Sequence, residues 1–145
     1  MKNINWVPGY YLAFELSEKS RANALALFTP RFSKVICHHV TIEFNLTKDN
    51  FEKYKRMLTP TPVVTAYGYA KGDGIEALAV AISGPNVENE TDRADGSFYH
   101  VTLSLDPPHK PVESNKLKDK VVLISSMFRS VASLTLAGEF KLLKK

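Results

Sequence analysis

One cysteine in 145 residues excludes an intrachain disulfide, so packing must hold whatever core this chain builds. The length suffices: a single domain over residues 1–145 buries a sizeable core without cross-links or metals. No apolar run approaches the roughly 20 residues that cross a bilayer as a helix. The opening Met1-Lys2-Asn3-Ile4-Asn5-Trp6 lacks the apolar centre of a signal peptide. These absences predict a cytoplasmic chain without membrane contact, in which Asn45-Leu46-Thr47 and Asn89-Glu90-Thr91 are glycosylation triplets without meaning. No repeat of solenoid length is present. No His, Cys and carboxylate spacing of a metal centre is present either, so no metal and no other cofactor is expected.

Neither sign of charge dominates. Lys and Arg number 19 against 15 Asp and Glu, leaving +4, which favours an anionic ligand without demanding a long nucleic acid. The basic residues are also dispersed. Lys53, Lys55 and Arg56 fall on a predicted helix, Lys110, Lys116, Lys118 and Lys120 in and after a loop, and Lys141, Lys144 and Lys145 near residue 145, as solvated faces do. A hydrophobic content of 44% with 23% charged residues is that of a globular chain and excludes wholesale disorder.

Residues 9–16 alternate as a first strand, with Tyr10, Leu12, Phe14 and Leu16 on one side and Tyr11, Ala13 and Glu15 on the other. Ser17 caps a helix over 18–28 whose buried stripe is Ala22, Leu25 and Phe28, ending before Pro30. A strand over 34–44 follows. Thr47 caps a second helix to Leu58, with Phe51, Tyr54 and Met57 or Leu58 at helical spacing, and Pro60 and Pro62 stop it. The apolar runs 63–70 and 75–83 flank Lys71-Gly72-Asp73-Gly74, a hairpin signal. Residues 84–97 read as a mobile loop and 98–105 as a strand ended by Asp106-Pro107-Pro108. Residues 109–115 read as loop, and 121–125 and 134–142 as closing strands, with 127–132 between them helical or irregular. This order predicts an α+β fold of two antiparallel lobes with helices outside.

Two copies of one tripeptide carry the chemistry. His39-Val40-Thr41 and His100-Val101-Thr102 each sit in an alternating apolar run. In a strand, i and i+2 side chains share a face. Val40, Ile42 and Phe44 therefore oppose His39, Thr41 and Glu43, while Val101, Leu103 and Leu105 oppose His100, Thr102 and Ser104. Each strand presents an imidazole and a hydroxyl together. The same alternation puts the Cys37 thiol on the face of His39 and sends His38 to the opposite one. His109 falls in a loop.

The doubled motif resembles the 2H phosphoesterase family, named for two His-x-Thr/Ser motifs on strands that face each other across a groove. The resemblance rests on His39, Thr41, His100 and Thr102. It implies an RNA ligase-type cyclic phosphodiesterase-like fold with a central groove, and a phosphodiester substrate, commonly a nucleotide or RNA end bearing a 2′,3′-cyclic phosphate. It also implies catalysis by His39 and His100 without metal. Cyclic oligonucleotides or 2′,5′-linked messengers, and a non-catalytic RNA- or nucleotide-binding module, are the alternative readings. No obligate protein partner is expected.

Breaking a phosphodiester takes a base for the attacking oxygen, an acid for the leaving one, and donors for the non-bridging oxygens. With an ordinary pKa of about 6.5, one histidine can be neutral and the other protonated near neutrality. Thr41 and Thr102 offer hydroxyl donors. Tyr11, on the polar side of the first strand, can stack on a base, and Tyr67 with Tyr69 can widen that platform. Lys110 and Ser114, in the loop after the second motif, can reach a phosphate or base edge.

Overall fold

The computed structural model describes Met1 and residues 3–145. In chain order the elements are β1 (Tyr10–Leu16), α1 (Glu18–Leu27), β2 (Lys34–Val35), β3 (His39–Glu43), α2 (Lys48–Met57), β4 (Val63–Gly72), β5 (Ile75–Gly84), β6 (Val87–Glu90) and β7 (His100–Leu105). A 3-10 helix (Pro111–Lys120), β8 (Val122–Leu123), α3 (Ile124–Met127), β9 (Leu134–Leu136) and β10 (Gly138–Lys144) complete them. The architecture is α+β: an open, antiparallel ten-stranded sheet ordered β10-β1-β3-β7-β5-β4-β8, with β2 beside β7, β6 beside β5 and β9 beside β4. The two halves meet where β3 touches β7 at one residue pair, Val40↔Val101. The expected lobes are thus halves of one sheet. Among the described residues no helix is long and apolar enough to cross a membrane.

One face of the sheet carries the larger core. Leu12, Phe14, Val40, Ile42, Leu78, Val80, Val101 and Leu103 pack there against Ala24 and Phe28 from α1 and its end, and Phe51, Tyr54 and Leu58 from α2 and its end. Each fully buried side chain of this size contributes about 1.5–3 kcal/mol. The opposite face of the β4-β5-β7 half holds a smaller cluster, Ala70, Ile75, Ala77, Ala79, Phe98 and Leu105, covered by Leu117 of the 3-10 helix.

The helix caps follow the sequence. Ser17 accepts from Ser20 N at 3.1 Å. Thr47 and Asn50 exchange side-chain and backbone bonds in a reciprocal capping box. The α1 stripe differs from expectation: Ser20, Ala24 and Phe28 are buried, Ala22 is exposed and Leu25 half-buried. A polar residue holds an inward position because Ser20 Oγ accepts the backbone N–H of Ala137 at 3.0 Å, where the chain passes from β9 to β10.

Several predicted segments are divided or reassigned by tertiary pairing. The strand over 34–44 breaks at Cys37, whose φ of 44° lies in the left-handed region. Cys37 turns into the core and is fully buried, so its thiol does not line a groove. Residues 84–97 are an ordered arm rather than a loop: β6 pairs with β5, Asp92 bridges Phe98, and Arg93 binds Asp95 at 2.8 Å. The 3-10 helix occupies part of the predicted 109–115 loop. Residues 121–125 keep only β8 as strand before α3 begins. The closing strand over 134–142 splits at Ala137, because β9 pairs with β4 and β10 with β1 in the other half of the sheet. The β4-β5 hairpin turns as expected, with Gly74 at φ 75°.

Candidate functional site

The face beside the smaller cluster opens into a cavity of about 510 Å³. Its floor comes from the two motif strands and β1: His39, Thr41, His100, Thr102 and Tyr11 all line it. Pro111, Val112 and Asn115 of the 3-10 helix form one wall, and Arg93 and Asp95 of the arm after β6 contribute an ion pair. A larger depression of about 760 Å³ lies outside α2, but Glu52, Lys53, Lys55, Arg56 and Met57 there are a solvated helix face with no partner for acid–base chemistry.

Register explains why the four motif side chains converge. Val40 pairs with Val101, which sets Thr41 across from His100. On the other side Cys37 N donates to Thr102 O at 2.8 Å, so His38 and His39 are two residues with no counterpart on β7. This looped-out pair corrects the expectation for His38. Its ring lies beside His39, not on the opposite face: the two Nδ1 atoms are 2.8 Å apart.

Each motif is followed at once by a bulge. Leu12 pairs with Glu43 but Ala13 with Thr41, leaving Ile42 extra; Glu76 pairs with Ser104 but Ala77 with Thr102, leaving Leu103 extra. Beyond a bulge every side chain changes face. Phe44 therefore lies on the cavity side, with its ring centroid 5.2 Å from that of Tyr11, instead of in the core with Val40 and Ile42. Glu43 turns to α2 and accepts from Tyr54 Oη at 3.0 Å. Ser104 leaves the face of His100 and donates to the buried Glu76 carboxylate, which also accepts from Tyr69 Oη and Arg31 N. A bulge between Ala66 and Gly68 likewise separates Tyr67, packed on the smaller cluster, from Tyr69, stacked on Phe28, so neither extends an aromatic platform at the site.

The two imidazoles differ in environment. His100 is 9% exposed, and its Nδ1 lies 2.8 Å from Phe98 O. A carbonyl only accepts, so Nδ1 carries the proton and Nε2 of the neutral ring keeps its lone pair. Burial, foremost, holds its pKa down at about 4; the Phe98 carbonyl works against this, Arg93 adds to it, and Asp95 opposes it. His39 is half-buried, with Nε2 3.1 Å from Tyr11 Oη. Its pKa is also lowered to about 4, first by burial and then by His38, with Glu15 opposing and His100 adding to the fall. Both rings are thus neutral near pH 7 in the free protein, where ordinary values would have left one readily charged.

The remaining expected residues divide. Tyr11 lines the cavity, but its hydroxyl is engaged with His39. Ser114 is fully buried behind Thr102, its Oγ 2.8 Å from Thr102 Oγ1, and supports that hydroxyl from outside the cavity. Lys110 is exposed and outside the lining; its backbone N–H donates to Glu113 Oε2 at 2.6 Å. His109 pairs with Glu113 as well, at 3.0 Å. Sequence reasoning missed Ile36, Phe44, Arg93, Asp95, Val112 and Asn115. Ile36 and the bulge-shifted Phe44 belonged to the predicted 34–44 strand; the others reach the cavity through long-range folding. Among the described residues no group of three or more His, Cys, Asp or Glu is placed to hold a metal ion.

The fold is similar to that of a fungal RNA kinase. The match to that crystal structure has a TM-score of 0.54 and covers 99% of this chain at 12% sequence identity. This chain spans about half of that one, 47% of its length. No protein-family model matches the sequence, and no curated protein does.

Proposed function

We propose that this chain is a phosphodiesterase in which His39 and His100 act as acid–base partners, without a metal, on a nucleotide or RNA terminus bearing a 2′,3′-cyclic phosphate. The observation that carries this reading is that both imidazoles open onto one cavity, each with the threonine of its own motif beside it. In the reaction water forms the new P–O bond and gives its proton to one Nε2; the ribose P–O bond breaks and its oxygen takes a proton from the other. The neutral state of both rings suits the base at once. The acid is charged on substrate binding, because a phosphate anion within about 4–6 Å favours imidazolium. Thr41 is the donor to a non-bridging oxygen in this reading, and Thr102, whose Oγ1 donates to Pro111 O at 3.4 Å in the free protein, joins it by turning its hydroxyl proton to the phosphate.

The cavity walls suit a nucleotide. Phe44, Ile36 and Val112 in the lining offer apolar area for a base, and the Arg93 guanidinium, paired with Asp95, lines the same cavity. The similar fold of an RNA kinase supports a nucleic-acid substrate class.

A chelator-treated panel of 2′,3′-cyclic nucleotides, cyclic-phosphate RNA ends, cyclic oligonucleotides and 2′,5′-oligoadenylates, resolved by mass and phosphorus NMR, tests this. Turnover of 2′,3′-cyclic phosphates is expected, with His39→Ala and His100→Ala each losing about 10²–10⁴-fold. Both variants retaining parental activity refutes the two-histidine chemistry. Binding without product from any substrate points to a non-catalytic module instead.

A further inference from the structure

His39 and His100 share a motif but differ in what stands behind them. Behind His100 is a backbone carbonyl, which accepts a hydrogen bond from Nδ1 and cannot take the proton away. Behind His39 is a chain of titratable side chains. Its Nδ1 meets His38 Nδ1 at 2.8 Å, His38 Nε2 lies 3.5 Å from Glu15 Oε2, and Glu15 Oε1 lies 3.3 Å from Lys141 Nζ.

The Glu15 charge sets a preferred order of protons along this chain. The Glu15 carboxylate, 3.5 Å from His38 Nε2, attracts a proton to that nitrogen by its charge, and His38 then presents a lone pair at Nδ1. His39 must then donate from Nδ1, which leaves a lone pair on its Nε2, the atom 3.1 Å from Tyr11 Oη. We infer that Glu15 and His38 form a relay that carries charge away from His39 and so commits His39, rather than His100, to the base role. The inference rests on the phosphodiesterase reading and assigns the roles within it.

The step balances as follows. The attacking water gives a proton to His39 Nε2 as its oxygen bonds to phosphorus, and the Nδ1 proton of His39 passes to His38 Nδ1. The P–O bond to the ribose breaks, and the departing oxygen takes the Nε2 proton of His100. His38, now protonated on both nitrogens beside Glu15, returns the extra proton to water, while His100 regains one. His38 suits this exit because its side chain is 52% exposed. A buried imidazolium at His39 would be costly, and moving the charge one ring outward toward a carboxylate reduces that cost. His100 has no such exit. The groups facing the relay are Glu15 and Tyr11 on β1, Lys141 and Glu139 on β10, and His100 on β7.

Glu15 and His38 are positioning residues, and nitrogen-15 NMR of the histidine rings tests them without any turnover. The expected result in the unmodified protein is a proton on Nδ1 of His39 and on Nε2 of His38. In Glu15→Gln the His38 preference is lost, and kcat falls about 10- to 100-fold, less than loss of the base itself, with KM unchanged. A neutral His39 carrying its proton on Nε2 overturns the relay, as does a folded Glu15→Gln protein with parental kcat. Should that variant fail to fold, the tautomers of the unmodified protein decide the matter alone. Absence of cyclic phosphodiesterase turnover with the expected tautomers present would instead count against the proposed function.

Discussion

Replacing His100 with glutamine is expected to flatten the acid side of the stability curve by an amount set by the burial of this ring. An ordinary imidazole titrates at about 6.5, and burial lowers His100 to about 4. A base with a depressed folded-state pKa is protonated first in the unfolded chain. Its contribution is therefore intact above about pH 6.5, falls progressively as the pH drops toward about 4, and changes no further below that. A shift of this size corresponds to about 3 kcal/mol. For a chain of this length that is about 6–12 °C in Tm. The ring is only 9% exposed, so solvent screens little of this. Thermal melts followed by circular dichroism across that pH range, on the parent and on His100→Gln, read the difference directly. The Asp95, Asp106 and Glu113 carboxylates, held below their ordinary values by hydrogen bonds and neighbouring cations, also lose stabilising contacts on acidification. Their windows lie lower and are common to both proteins, so they cancel in the comparison. Parallel loss of Tm in the two proteins would refute the claim that His100 is buried as a neutral base.

Phe44→Ala should raise KM for a nucleotide substrate about 5- to 150-fold, the loss of one stacking contact, with kcat nearly unchanged; steady-state kinetics showing the reverse split would remove Phe44 from the binding wall. The Cys37 thiol, which burial raises to about 11, should resist iodoacetamide at neutral pH in the native protein and react on unfolding; rapid native alkylation followed by mass spectrometry would contradict its place in the core. Gly138→Ala would drive a Cβ into the backbone oxygen of Glu15, forcing β10 away from β1 at a cost of about 2 kcal/mol or more. Denaturant unfolding with an unchanged midpoint would show that this contact has room to give.

Much of the local structure was legible because its causes are local. Ser17 and Thr47 cap the helices predicted for them, and Pro60 follows the second closely. The Asp73-Gly74 turn closes its hairpin with the required positive φ at Gly74. The polar, acidic segment after β5 misled, because its order comes from pairing with β5 and from the Arg93–Asp95 ion pair rather than from its own composition. The α1 stripe misled for a similar reason: Ser20 is drawn inward by the distant Ala137 amide.

Alternation alone determined that His39 shares a face with Thr41 and His100 with Thr102, because a strand repeats every two residues whatever surrounds it. Only the tertiary structure decided which further side chains share the cavity. The bulges at Ile42 and Leu103 each shift a strand by one residue, the break at Cys37 loops out two, and each shows only in the pairing with a partner strand. They bring Phe44 to the site, send Ser104 to Glu76, and set His38 between His39 and Glu15. A period of two is written in the chain itself, whereas a one-residue slip depends on strands that lie far apart in sequence until the sheet has formed.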